Sequence, residues 1–132
     1  MADTLQFDLV SPERKLASVA ATSVQIPGIG GDFTAMPQHA PFLTTLRPGV
    51  VKVVTPGETI EYVVTGGFAE VSPTATTILA EQAVPRAEAD ASMVSDLLTA
   101  AEKDLADAPE ERRMSAGQRV RDVIALQSQL SA

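Results

Sequence analysis

The 132-residue sequence has no cysteine and no tryptophan, one tyrosine and one histidine. Without thiols there can be no disulfides, no thiolate catalysis and no cysteine-ligated zinc or iron–sulfur centre. With His39 as the lone histidine, a histidine cluster around a metal is impossible, and any mononuclear site would need carboxylates alone. Aromatic residues make up 4 % of the chain, so its core must be built from Val, Ile, Leu and Ala. No apolar run approaches the ~20 residues that span a bilayer, and no direct membrane insertion is expected. Lys and Arg number 10 against 17 Asp and Glu, a net charge of −7. That deficit opposes binding to nucleic-acid phosphates or to an anionic lipid surface, and a protein partner is expected instead. Residues 1–8 have neither a basic stretch nor an apolar core, so neither a secretory signal nor a basic transit segment is expected. Catalytic signatures are missing as well. There is no Gly-x-Ser-x-Gly and no P-loop, and Gly28-Ile29-Gly30-Gly31 lacks the third glycine and the following helix of a dinucleotide loop. A non-enzyme without a cofactor is expected.

The chain does contain 45 % hydrophobic residues, arranged in two different ways. Up to residue 86 they form short strands cut by turns. Leu5–Val10 alternates Leu5, Phe7 and Leu9 with Gln6 and Asp8, the period of a half-buried strand. Further strands are expected at residues 15–20, 21–26, 42–46, 50–55, 59–64, 68–71 and 76–80. The turns between them include Ser11-Pro12-Glu13-Arg14, Arg47-Pro48-Gly49, Pro56-Gly57-Glu58, Gly66-Gly67 and Ser72-Pro73-Thr74. Strands at this spacing, with no helix between them, predict an antiparallel β-sandwich of about ten short strands.

From residue 87 Gly and Pro become sparse and the period changes to 3.6. Val94, Leu97, Leu98, Ala101 and Leu105 share one helical face. Asp90 is a candidate N-cap, with an earlier start near Pro85 or Glu88 equally open. Asp107-Ala108-Pro109-Glu110 reads as a stop and restart in which Asp107 caps a second helix, with Val120, Val123, Ile124, Leu126 and Leu130 as its apolar positions. Gly117 weakens the middle of that helix. The expected domains are a β-sandwich at 1–86 and an antiparallel helical hairpin at 87–132, an α+β chain.

Residues 31–49 carry the most specific pattern: Gly31-Asp32, then Pro37-Gln38-His39-Ala40-Pro41-Phe42-Leu43-Thr44, then Arg47-Pro48-Gly49. With Gly66-Gly67-Phe68-Ala69-Glu70-Val71 and Thr76 to Glu81, this resembles the epsilon subunit family of F-type ATP synthases, bacterial type. The resemblance is specific from Gly31 to Glu81 and architectural beyond Arg86. It implies a central-stalk rotor subunit that grips gamma, rests on the c-subunit ring and lies at the cytoplasmic face of a bacterial inner membrane. Asp32, Phe33, Met36, His39, Ala40 and Phe42 are then candidate contacts to the c-ring or gamma, on a loop bracketed by Gly31 and Pro41. Plainer roles stay open: turn stabilisation for Asp32, a local backbone hydrogen bond for His39, core packing for Phe33, Met36 and Phe42.

The resemblance also makes the hairpin a regulatory arm that inhibits ATP hydrolysis in the α/β hexamer. Arg112, Arg113, Arg119 and Arg121 are its candidate contacts, or else a solvated face paired with Glu110, Glu111 and Asp122. Some members bind ATP through Ile/Leu-Asp-x-x-Arg-Ala. Here Asp90 matches, but Met93 replaces the arginine and Val94 the alanine, so weak or no nucleotide binding is expected. The competing reading is a free-standing β-sandwich binding module with an oligomerising hairpin; a small hydrolase using His39 is a third.

Overall fold

The computed structural model describes residues 4–131. Ten strands come first: β1 Leu5–Val10, β2 Lys15–Ala21, β3 Ser23–Gly28, β4 Gly31–Ala35, β5 Phe42–Leu46, β6 Gly49–Val54, β7 Thr59–Val64, β8 Gly67–Val71, β9 Ala75–Ala80 and β10 Ala83–Pro85. They form a β-sandwich. Their order is β10-β7-β6-β3-β5-β8-β9-β1-β2, with β4 added to β3. Between β3 and β5 the ladder narrows to one register pair, Gly28 with Leu46. This waist divides the strands into two halves whose inner faces share one core. Phe7, Leu9, Leu46, Ala69, Val71 and Ile78 come from one half, and Val24, Ile26, Val51, Val53, Tyr62 and Val64 from the other. Phe7, Leu9, Ile26 and Ile78 are fully buried, so the period-two pattern translates directly into an inner face.

Three local features differ from the expectation. Residues 31–35, expected as part of a loop, form β4, which returns along β3 through the two-residue turn Ile29-Gly30. A strand opening on glycine and aspartate has low intrinsic β-propensity, and it is the hairpin with β3 that imposes the extended conformation. The three-residue strand β10 ends on Pro85 and pairs only with β7, as proline at a sheet edge allows. Among the described residues β1 and β9 also make a parallel pairing within an otherwise antiparallel ladder.

A 3-10 turn at Arg86–Glu88 precedes helix α1, Ala91–Asp107. Asp90 caps it, accepting a 2.8 Å hydrogen bond from the Met93 amide. Asp107 is the last residue of α1 and caps nothing, contrary to the expectation. Ala108 precedes a proline, which disfavours the helical conformation, and it is extended at φ −71°, ψ 135°. The chain restarts in a 3-10 turn at Glu110–Arg112 that Pro109 begins without a side-chain cap, and continues as α2, Arg113–Ser131. Val94 and Ala101 of α1 pack with Val123 of α2, flanked by Leu97, Leu98, Val120 and Leu130. The contacts divide the chain into two compact units, Met1–Arg86 and Ala87–Ala132.

Gly117 is buried in α2, yet a methyl group there would sit 3.5 Å from the Arg121 side chain and 3.9 Å from Leu105 Cδ1, ordinary contact distances. Gly117→Ala is therefore expected to stabilise the hairpin by about 0.5–1 kcal/mol through the lower backbone entropy of the unfolded chain. Thermal melting followed at 222 nm checks this, and a lowered midpoint would contradict it.

Candidate interaction surfaces

The expected site residues fall into two places on the sandwich. Successive side chains of β4 point to opposite faces, so Asp32 and Phe33 part company although adjacent. Asp32 is paired with Arg47, whose guanidinium donates to the Asp32 carboxylate and to the Gly28 carbonyl. Asp32 is thus an exposed carboxylate that already has a cation within the chain. Phe33 instead packs its ring edge against Phe42, centroids 5.2 Å apart, with the His39 ring 6.3 Å away. Phe33, His39 and Phe42 therefore form one aromatic cluster, with Met36 and Ala40 exposed on the same segment.

Residues 36–41 are a pinned loop. Gln38 adopts φ 73°, its amide donates to the Pro73 carbonyl at 2.8 Å, and the His39 amide donates to the Met36 carbonyl at 3.0 Å. The His39 ring meets the Ala40 carbonyl at 2.6 Å through Nδ1, which must carry the proton because a carbonyl only accepts. This is the local backbone bond left open as His39's plainer role.

A second surface was not singled out from the sequence. On the outer side of the sheet, register pairs run Val10–Leu79, Leu79–Phe68 and Phe68–Thr45, a continuous row across β1, β9, β8 and β5. Phe68 and Leu79 are 54 % and 53 % exposed, and Leu43 beside them is 68 % exposed. A largely apolar groove of about 500 Å³ adjoins the row, lined by Val10, Pro12, Leu46, Phe68 and Leu79 among others. The signal lay in β9, where Thr76 points into the core and Leu79 away from it, the reverse of the usual assignment.

The four hairpin arginines do not form a single free basic patch. Arg112 reaches across the connection and grips Asp104 of α1 with both terminal nitrogens, at 3.1 and 3.4 Å, in place of the expected neighbours Glu110 and Glu111. Arg113 donates to the Ala108 carbonyl and Arg121 to the Gln118 side chain, and Arg119 adds to the positive field at Asp104. Asp90, the residue matching the nucleotide motif, spends its carboxylate on the α1 cap.

Among the described residues, two carboxylates are held below their ordinary value of 3.8. Asp8 is stabilised as the anion chiefly by the Ser18 hydroxyl opposite it on β2, with Gln6 and Lys15 adding to the effect. Asp104 is held down first by its hydrogen bonds from Arg112. A depressed folded-state value means that the associated stability is present above 3.8 and is lost as the pH falls through the folded value. The stability gap between the native chain and Asp104→Asn is therefore expected to stay constant above about pH 5 and to close on acidification below it. Helix melting from pH 7 to 2 measures this. A gap that persists at low pH would contradict the pairing.

Residues 4–86 match the family described as the ATP synthase delta/epsilon chain β-sandwich domain. The ATP synthase epsilon chain of Rhodobacter capsulatus is 58 % identical over 108 residues, 82 % of this chain and 81 % of the relative. That of Cereibacter sphaeroides (strain ATCC 17025) is 47 % identical over 128 residues, covering 97 % of each. Among solved structures, a chain of the Euglena gracilis mitochondrial ATP synthase superposes with a TM-score of 0.75 at 22 % identity, covering 98 % of this chain and 83 % of that one. A chain from the central stalk and c-ring of the Tetrahymena thermophila mitochondrial enzyme gives 0.71 at 14 % identity, covering 97 % and 96 %. At such identities the superpositions speak for the fold, while the sequence matches carry the kinship: this chain belongs to the ATP synthase epsilon chain family.

Proposed function

We propose that this chain is a non-catalytic central-stalk subunit of an F-type proton-translocating ATP synthase, joining the gamma subunit to the c-subunit ring. The observation that carries the reading is the outer apolar row Val10–Leu79–Phe68 with its groove, on the body of a family member. A contiguous apolar strip with exposed aromatic and aliphatic anchors is what a lasting protein partner covers. We assign that strip to gamma. The Phe33–His39–Phe42 cluster and the β3–β4 hairpin are assigned to the polar loops of the c-ring. No helix among the described residues is long and apolar enough to cross a membrane. Attachment through gamma and the c-ring would place the chain peripherally at the cytoplasmic face of a bacterial inner membrane.

Co-purification tests the reading. Mixed with its cognate gamma subunit, the chain is expected to elute as a stable one-to-one complex. A chain that ignores gamma and self-associates would favour the free-standing binding module instead.

The hairpin is proposed as a regulatory arm acting on the α/β hexamer. Its core is small, and each large residue is worth ~1.5–3 kcal/mol gross when fully buried, much of it offset by ordering entropy. A partner can therefore tip its conformation. ATP hydrolysis by the reconstituted catalytic head is expected to be slower with the full chain than with residues 1–86. Equal rates would remove the inhibitory role while leaving the stalk role intact.

A further inference from the structure

We propose that Arg47 is a positioning residue for the stalk contact and that Asp32 works inward, as the counter-ion of Arg47, rather than outward toward a partner's cation. This rests on the reading of the chain as a stalk subunit. The two halves of the sandwich meet at the single pair Gly28–Leu46. Around that pair the Ile29 amide donates to the Thr45 carbonyl at 2.9 Å, and the Arg47 amide donates to the Pro27 carbonyl at 3.0 Å. The Arg47 side chain completes the junction, with Nη1 on the Gly28 carbonyl and Nη2 on Asp32.

One guanidinium thus ties both strands of the β3–β4 hairpin to the start of the next segment, at the place where strand pairing is thinnest. Gly49 belongs to the same joint: a Cβ there would lie 2.7 Å from Pro27 Cβ, so the chain after Arg47 presses directly on β3. An exposed ion pair adds little stability by itself, so the value of this fork is geometric. It sets the angle of the hairpin whose tip carries the exposed Ile29. Lysine is a compact point charge without the planar fork whose two nitrogens serve the Gly28 carbonyl and Asp32 separately, so it holds this geometry poorly.

If Asp32 instead reached out to a partner, it would abandon Arg47. The two residues would then act on rotor coupling independently. A double-mutant cycle separates these cases. Asp32→Asn, Arg47→Gln, Arg47→Lys and the Asp32→Asn/Arg47→Gln pair are compared in the full chain. Two readouts are used: hydrogen exchange at the Ile29 and Arg47 amides, and ATP-driven proton pumping by vesicles carrying the assembled enzyme. Each single variant is expected to speed exchange at both amides roughly tenfold through local opening, and to lower pumping by a common factor. The double variant is expected to be no worse than either single, and Arg47→Lys to stay close to Arg47→Gln.

Effects that multiply in the double variant would overturn the proposal. So would Asp32→Asn impairing pumping with exchange unchanged, or faster exchange with pumping intact. Should Arg47→Gln fail to fold by circular dichroism, Asp32→Asn alone decides, since it must loosen the Arg47 amide. Failure of the stalk reading itself would show separately, as a native chain that does not co-purify with gamma.

Discussion

Gly67→Ala is expected to cost the sandwich more than about 3 kcal/mol, a large part of the stability of a small domain. Gly67 opens β8 at φ +135°, a conformation closed to residues with a side chain. Its register partner is Ala80 of β9, and an added Cβ would lie 2.1 Å from the Leu79 carbonyl oxygen and 2.9 Å from the Ala80 Cα. Both obstacles are backbone atoms of a paired strand, so no side chain can swing away to make room. Relief would require β8 to leave β9, at the centre of the half-sandwich that carries the outer apolar row. Backbone strain of ~1–3 kcal/mol and overpacking of ~1–3 kcal/mol therefore act together. Urea denaturation measures the loss. Gly30→Ala is the control, because nothing lies within 4 Å of the added methyl and its φ is not positive; it is expected to stay within about 1 kcal/mol of the native chain. A Gly67→Ala chain as stable as that control would show that the β8–β9 register is softer than described.

Leu79→Asp and Phe68→Asp are expected to leave the sandwich folded and to weaken the gamma complex by roughly 30-fold or more each, the loss of a central apolar anchor. Both side chains are more than half exposed, so a carboxylate there remains solvated in the free chain. In a complex the same carboxylate would be buried against apolar partner surface, with no cation of this chain assigned to it, and desolvation is the cost. Lys52→Glu, on the exposed face of β6 in the other half, serves as the control and is expected to change affinity only a few-fold. Titration of purified gamma with each variant, with circular dichroism as the check on folding, gives the comparison. Full affinity in Leu79→Asp would mean that gamma sits elsewhere on the chain.

Most strands announced themselves because each is a short run rich in apolar or β-branched residues bounded by a turn that contains Pro or Gly. Leu5–Val10, Phe42–Leu46 and Thr59–Val64 were legible to the residue. The strand at Gly31–Ala35 was not, because its extended state comes from β3 rather than from its own composition. The stop of α1 at Asp107 was legible, but the capping role expected of Asp107 was wrong for a related reason. Asp107 has the chemistry of an N-cap, but Pro109 forces Ala108 out of the helix first, and no place is left for Asp107 to cap.

The candidate sites were legible as motifs and opaque as geometry. The Arg-Pro-Gly motif could be read as a turn, but not as the close approach of Gly49 to Pro27 or as the reach of Arg47 to Asp32. Likewise the hairpin arginines looked like a set, although Arg112 is committed to Asp104 eight residues earlier in the chain.

What the amino-acid order determined by itself was the switch of period near residue 86, the strands that follow from alternation, and the family. All of these depend on neighbours within a few residues or on a linear motif. Asp90 was a candidate cap that the structure selected over an earlier helix start. The tertiary structure alone decided which pleat faces outward, and so placed Leu79 on the surface and Thr76 in the core. It also decided the parallel pairing of β1 with β9 and the partner of Asp32. Those outcomes depend on residues brought together from distant parts of the chain, and a period of two is the same whichever face is buried.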